Sequence, residues 1–223
     1  MKKIVKKMFK HTVLYSAMLI GFLISGGQSV FAAEDLPLKY SEFIYDYEGN
    51  KIVYDSVWKT GHEYYLEPAN AEDTSQRVTF KNWENSQWAK LGSKSDAITF
   101  RLEDKTISPL QGSHDLYEGI VNEKESLFVS FKKEEYDGDI FEDYIFSTFL
   151  TPKSNGVELV RGDDFSINTS SWEVYKKLQG DKYTFAFKNT NTGMFLSHRN
   201  SGEWLYVDQS KINKNTLWKL VKK

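Results

Sequence analysis

Residues 33–223 predict an all-β domain of three repeated lobes behind an N-terminal export signal, and three observations carry that prediction. A polar turn runs into a tryptophan three times, at Asn85-Ser86-Gln87-Trp88, Thr169-Ser170-Ser171-Trp172 and Asn215-Thr216-Leu217-Trp218. The second and third copies also align further back without a gap, because Gly156, Leu159 and Trp172 share the spacing of Gly202, Leu205 and Trp218. Elsewhere the apolar residues recur at every second position, which is the period of a strand with one buried face. A repeat of this kind means that no lobe buries its own apolar face, so three must close on one shared core. Trp88, Trp172 and Trp218 are therefore expected to be buried and related by a threefold axis. The first copy matches the third at another point: Thr60-Gly61 precedes Tyr64-Tyr65-Leu66 as Thr192-Gly193 precedes Met194-Phe195-Leu196.

Taken in chain order, residues 1–32 read as a signal peptide. Lys2, Lys3, Lys6, Lys7 and Lys10 form a basic start and Thr12 to Ser25 an apolar stretch. Val30-Phe31-Ala32 supplies the small-residue ending at which cleavage is expected. The apolar stretch is too short to predict a membrane span, and no second one follows it. The mature protein is thus expected to be secreted, without stable insertion into a membrane. The chain has no cysteine, which excludes a disulfide framework and a lipid-anchoring thiol. Its stability must come from the core, and about 190 residues are enough for a sizeable one.

The chain carries 29 lysines and arginines against 31 acids. Loss of the five signal lysines leaves the mature domain with a formal charge of −7. A domain this acidic does not suit nucleic acid or an anionic membrane recognised through charge.

The strands follow from alternation. Ile98, Phe100 and Leu102 alternate with Thr99, Arg101 and Glu103; Leu127, Val129 and Phe131 straddle Phe128 and Ser130; Tyr183, Phe185 and Phe187 straddle Thr184 and Ala186. Clusters of Gly, Asn, Asp and Ser at 46–50, 69–75, 137–139, 154–156, 189–193 and 200–202 interrupt these runs and suit hairpin turns. The expected lobes span about 34–92, 93–178 and 179–223. The middle lobe holds an enlarged stretch, 101–155, with twelve acids and six bases. That stretch is expected to loop outside the barrel, with 132–144 exposed. No Pro- or Ser-rich linker divides the chain, so a single domain is expected.

The third lobe carries the pattern most fully, from Thr192-Gly193-Met194-Phe195-Leu196 through Gly202-Glu203-Trp204-Leu205-Tyr206-Val207 to Trp218-Lys219-Leu220. These residues resemble the β-trefoil of the ricin B-type lectins and the similar binding domains of bacterial toxins. The resemblance implies a four-stranded unit in each lobe, with the tryptophan near the lobe's end packed into a barrel. The chain departs from that family's Gln-x-Trp: Ser86, Ser170 and Thr216 stand at the glutamine position. The family's sugar-binding aspartate would fall near Ser197-His198, where there is no acid.

Alternation also selects candidate site residues. With Leu205 and Val207 pointing inward, Trp204, Tyr206 and Asp208 share the outer face of one strand. An indole, a phenol and a carboxylate are the parts a sugar site uses: aromatic faces stack on pyranose C–H groups, and a carboxylate accepts hydroxyl hydrogen bonds. His198 and Asn213, on neighbouring turns, are expected to add one hydrogen bond each. The bland alternative is that Trp204 closes the barrel mouth and Tyr206 packs beneath a loop. Arg161-Gly162-Asp163 matches an integrin-recognised tripeptide but reads as an ordinary turn. The acids at 134–143 could surround calcium, but they lack the spacing of a known calcium loop and read as a solvated face.

Enzyme signatures are missing. After processing only His62, His114 and His198 remain, with no paired metal-binding histidines, no Gly-x-Ser-x-Gly and no cysteine nucleophile. No catalytic, metal or cofactor role is therefore assigned. The expected function is a secreted, non-catalytic, lectin-like module that binds glycans or host-surface glycoconjugates, acting as the targeting component of an exotoxin with a partner subunit. Two alternatives stay open: a β-trefoil protease inhibitor acting through 101–155, and a superantigen- or adhesin-like exotoxin.

Overall fold

The computed structural model describes residues 35–39, 41–56, 59–70, 76–105, 126–137, 144–162, 167–199 and 203–223. The expected signal peptide lies outside them. Among the described residues no helix is long and apolar enough to cross a membrane.

Among the described residues twelve strands run in sequence: β1 (Tyr64–Pro68), β2 (Gln76–Trp83), β3 (Ser86–Ser93), β4 (Arg101–Asp104), β5 (Phe128–Asp137), β6 (Tyr144–Lys153), β7 (Gly156–Arg161), β8 (Trp172–Gln179), β9 (Lys182–Asn189), β10 (Phe195–Ser197), β11 (Tyr206–Gln209) and β12 (Trp218–Lys222). Their antiparallel pairing sorts them into two sets. β4 pairs with β5, β8 with β5 and β9, and β12 with β9 and β1. Tyr64 and Phe100, bridged by two backbone hydrogen bonds, join β1 to the start of β4 and close the ring. Six strands thus form a barrel without a free edge, which removes the unpaired backbone groups an open sheet exposes. The other six form the hairpins β2–β3, β6–β7 and β10–β11.

Each lobe is therefore barrel strand, hairpin, barrel strand, three times over. The pairings Tyr64–Phe100, Val129–Trp172 and Phe185–Trp218 are equivalent, as are Leu66–Leu220, Leu102–Phe131 and Val174–Phe187. All twelve of these side chains are buried. The fold is a β-trefoil.

The core tryptophans show how the repeat is encoded. The Trp172 indole N–H donates to the Leu150 carbonyl at 3.1 Å, and Trp218 donates to Leu196 at 3.0 Å, each across 22 residues. Each indole fills the barrel with its ring and satisfies a hairpin carbonyl with its one donor, so the polar edge is buried without penalty. The equivalent first-lobe residue is Phe100, packed edge-on to Phe131 with centroids 5.8 Å apart. Trp88, expected as the third member, is instead half-buried on β3. Its polar turn is the tip of a hairpin, not the entry to a barrel strand. The match of Thr60-Gly61 to Thr192-Gly193 fails for a similar reason: Tyr64 begins a barrel strand, whereas Phe195 begins a hairpin strand. Residues 101–104, expected in the second lobe, pair as the closing strand of the first.

The described part of the enlarged acidic stretch is largely strand. Glu134 and Glu135 lie in β5, where Glu134 pairs with Arg101 and, at 3.6 Å, with Lys132, and Glu135 pairs with Lys133. They are half-buried rather than exposed, and their carboxylates are taken up by neighbouring cations rather than gathered around a calcium. Residues 106–125 and 138–143, which the inhibitor reading also needs, lie outside the described residues. Arg161 closes β7 with its guanidinium 4.2 Å from the Phe146 ring centroid, and Asp163 lies outside the described residues.

Candidate functional site

The three hairpins meet in a cyclic register. Trp88 stands opposite Glu158, Gly156 opposite Tyr206, and Trp204 opposite Lys90. Trp88, Gly156 and Trp204 are therefore equivalent positions, one from each lobe, around the pseudo-threefold axis. Their next neighbours Ala89, Val157 and Leu205 are fully buried, so alternation turns the equivalent trio to the outer face.

Two lobes place an indole there and the third has no side chain. A Cβ on Gly156 would lie 2.8 Å from the Trp88 ring, closer than packed carbon atoms approach. Gly156 thus leaves the floor of a cleft of about 300 Å³, walled by Trp83, Trp88, Trp204 and Tyr206, with Glu84 and Asn155 as its polar lining. Trp83 is 56% exposed. Its centroid stands 5.8 Å from that of Trp204 at an interplanar angle of 51°. A flat ligand between two rings needs about 3.5–4 Å on each side. The two indoles are therefore too close for a sandwich and make one angled wall.

The polar residues arrive on strained turns. Glu84-Asn85 links the paired residues Trp83 and Ser86, and Ser154-Asn155 links Lys153 and Gly156. Glu84 has φ +52° and Ser154 φ +55°, a left-handed conformation that costs a non-glycine residue about 1–2 kcal/mol. The hairpin turns of two lobes hold this conformation, and each places one residue, Glu84 or Asn155, on the same cleft.

Among the described residues two cations lie against the aromatic wall, and both are paired. The Lys153 ammonium lies 5.7 Å from the Trp88 centroid and 2.9 Å from Glu158. The Arg199 guanidinium lies 4.0 Å from the Tyr206 centroid and donates to Asp208 at 2.9 Å.

Of the residues expected from sequence, Trp204 and Tyr206 come together in the cleft. Asp208, His198 and Asn213 do not line it. Asp208 shares the outer face with Tyr206 but accepts from Ser197 at 2.8 Å and Gln209 at 3.0 Å as well as from Arg199. Burial alone would raise its pKa, yet the bonds from Gln209, Ser197 and Arg199 outweigh it and hold the carboxyl below its ordinary value. His198 is buried edge-on against Trp218, centroids 5.0 Å apart. Burial pushes its pKa below the usual 6.5 against the Arg199 and Leu217 backbone. Asn213 caps the short 3-10 turn Lys214–Thr216, accepting from the Asn215 amide at 2.8 Å. Trp83, Glu84, Trp88 and Asn155 were missed. The one signal for them was two tryptophans five residues apart around a polar turn. Among the described residues no group of three or more His, Asp or Glu side chains is placed to hold a metal ion.

No family model matches the chain, and no curated protein matches it by sequence. Among solved structures it is similar to the water-soluble chlorophyll protein of Brassica oleracea with chlorophyll b. That likeness has 11% identity and a TM-score of 0.50, over 82% of this chain and 99% of that one. It is also similar to the binding domain of botulinum neurotoxin DC in complex with SialylT, at 14% identity and TM-score 0.49, over 82% and 48% of the two chains. A Polyporus squamosus lectin bound to a human-type influenza-binding epitope matches at 16% identity and TM-score 0.43, over 74% and 50%. The chain spans about half the length of these last two. At such identities the likeness speaks to the fold alone.

Proposed function

We propose that this chain is a secreted, non-catalytic glycan-binding module whose ligand lies in the axial cleft. The observation that carries the reading is the convergence of three indoles and a phenol with Glu84 and Asn155 on one opening. Pyranoses present C–H faces that stack on aromatic rings and hydroxyls that need polar partners at the edge. The expected site is thereby redrawn: Trp204 and Tyr206 stay, Trp83, Glu84, Trp88 and Asn155 join them, and Asp208, His198 and Asn213 act as framework.

Because the cleft takes residues from all three lobes, the reading gives one site per chain, not one per lobe. The exotoxin-targeting role extends it: a module bound to surface glycans holds a toxic partner at the cell.

The test is a glycan array on residues 33–223 with Trp204→Ala and Trp83→Ala alongside. Stacking is worth about 1–3 kcal/mol per ring, judging from base–aromatic platforms, so each variant is expected to lose about tenfold or more in affinity. A blank array, or binding that survives both substitutions, overturns the proposal. Export is tested separately, by N-terminal sequencing of protein from the culture medium, expected to begin at residue 33.

A further inference from the structure

We infer that the axial cleft selects neutral glycans and rejects those ending in a carboxylate, an inference that rests on the glycan reading above. A carboxylate is held most strongly by a free cation, and among the described residues both cations that lie against the cleft's rings are already engaged. Lys153 is engaged by Glu158 at 2.9 Å and Arg199 by Asp208 at 2.9 Å, each while lying against a wall ring. Asp208 is itself fixed by Ser197 and Gln209, so releasing Arg199 to a ligand would leave the carboxylate in place with two of its three donors and without its cation. Such an exchange swaps one surface ion pair for another, with little net gain, and leaves an acid beside the site.

The charged side chain that lines the opening is Glu84, exposed on its turn and without an ion partner among the described residues. Lys81 and Lys90 lie on the same hairpin, opposite Trp88 and Trp204 respectively, but neither lines the cleft. The sequence beyond residue 32 carries a formal charge of −7, so the long-range field opposes an approaching anion as well.

Matched glycan pairs decide it, each pair one neutral oligosaccharide with and without a terminal sialic acid, arrayed against the wild-type protein. The neutral member is expected to bind about fivefold tighter, the size of one like-charge repulsion across a few ångströms of water. The ratio should shrink as salt rises. Glu84→Gln should bring the ratio below about twofold by removing that repulsion, and Lys90→Gln, which removes a cation opposite Trp204, should not lower it. Equal or tighter binding of the sialylated member, or a ratio that Glu84→Gln does not move, overturns the inference. Where Trp204→Ala abolishes binding yet the sialylated member binds as well, the cleft stands as a glycan site and only the charge selection falls. If no pair binds, both fall together.

Discussion

Trp172 and Trp218 on one side, Trp83, Trp88 and Trp204 on the other, show the same residue put to opposite uses by one threefold frame. The first two occupy equivalent barrel positions, are fully buried, and give their N–H groups to hairpin carbonyls. The other three lie on the outer face of the hairpin cap, where Trp83 remains 56% exposed. The difference lies in which strand of the lobe carries the indole. A barrel strand has the core beneath it, so an indole there is packing. A hairpin strand alternates between core and outside, so an indole one position away from Ala89 or Leu205 must face out. Large apolar groups left outside, grouped around a floor without a side chain, mark a binding surface more than a fold requirement.

The largest effect should come from breaking the first group. Trp172→Ala or Trp218→Ala is expected to cost about 3–5 kcal/mol, read as a shift in the urea midpoint. Each also leaves the carbonyl of Leu150 or Leu196 without its partner. Trp204→Ala should cost less than about 1 kcal/mol, because its contacts in the free protein are partial. If Trp204→Ala destabilised the chain as much as Trp218→Ala, the indole would be packing and the contrast would collapse.

Filling the floor attacks the second group without removing an aromatic. Gly156→Val places methyl groups where the Trp88 ring lies, since even a Cβ would approach it to 2.8 Å. Overpacking of this kind typically costs about 1–3 kcal/mol. Trp88 is half-buried and can swing aside, so the low end of that range is expected. The cleft should close, and glycan binding should fall at least as far as in Trp204→Ala. Retained binding in a folded Gly156→Val protein would mean that the ligand sits elsewhere.

How much of this was legible in the sequence follows from the same contrast. The core tryptophans were readable because the 46-residue offset between their copies is preserved through Leu150 and Leu196 to the indoles, with each hydrogen bond spanning 22 residues. The first lobe was not, because Phe100 replaces the indole and a hairpin tip at 84–85 imitates the polar turn that precedes it. Alternation along one strand placed Trp204 and Tyr206 correctly. It carried no information on which other lobes approach that strand, and Trp83 and Trp88 come from a lobe more than a hundred residues earlier. Asp208, His198 and Asn213 had site-like chemistry, but the fold uses that chemistry internally: an ion pair, a buried ring and a helix cap.

His198 separates the two core tryptophans from each other. It packs on Trp218, and burial holds its pKa below 6.5. The unfolded chain therefore takes up this proton before the folded one does. Stability from this group is full above about pH 6.5 and declines as pH falls from there toward the lower folded-state value. The Asp208 carboxyl, whose folded pKa is depressed, loses its contribution only as pH falls through about 4 and below. A thermal midpoint that drops between pH 6.5 and 5, with a shallower drop in His198→Asn, is the expected result. An unchanged slope in that variant would mean that His198 protonates equally in both states.

The smallest effect concerns the two strained turns, and it tests whether strain and function can be separated at one cleft. Ser154 and Glu84 each open the two-residue turn of their hairpin, with φ +55° and +52°. Glycine adopts that conformation without a Cβ clash but loses more chain entropy on folding. The two terms nearly offset, so Ser154→Gly and Glu84→Gly should each raise stability by no more than about 1 kcal/mol. Their effects on ligands should differ. Ser154 does not line the cleft, and Ser154→Gly should leave the whole binding profile as it was. Glu84 does line it, and Glu84→Gly should improve binding of acidic glycans relative to neutral ones while matching the stability change of its counterpart. Equal stability changes with unequal binding changes would show that the first-lobe turn carries the recognition and the second-lobe turn only the geometry. A loss of stability in either variant would instead mean that the side chain makes a contact worth more than the strain it imposes.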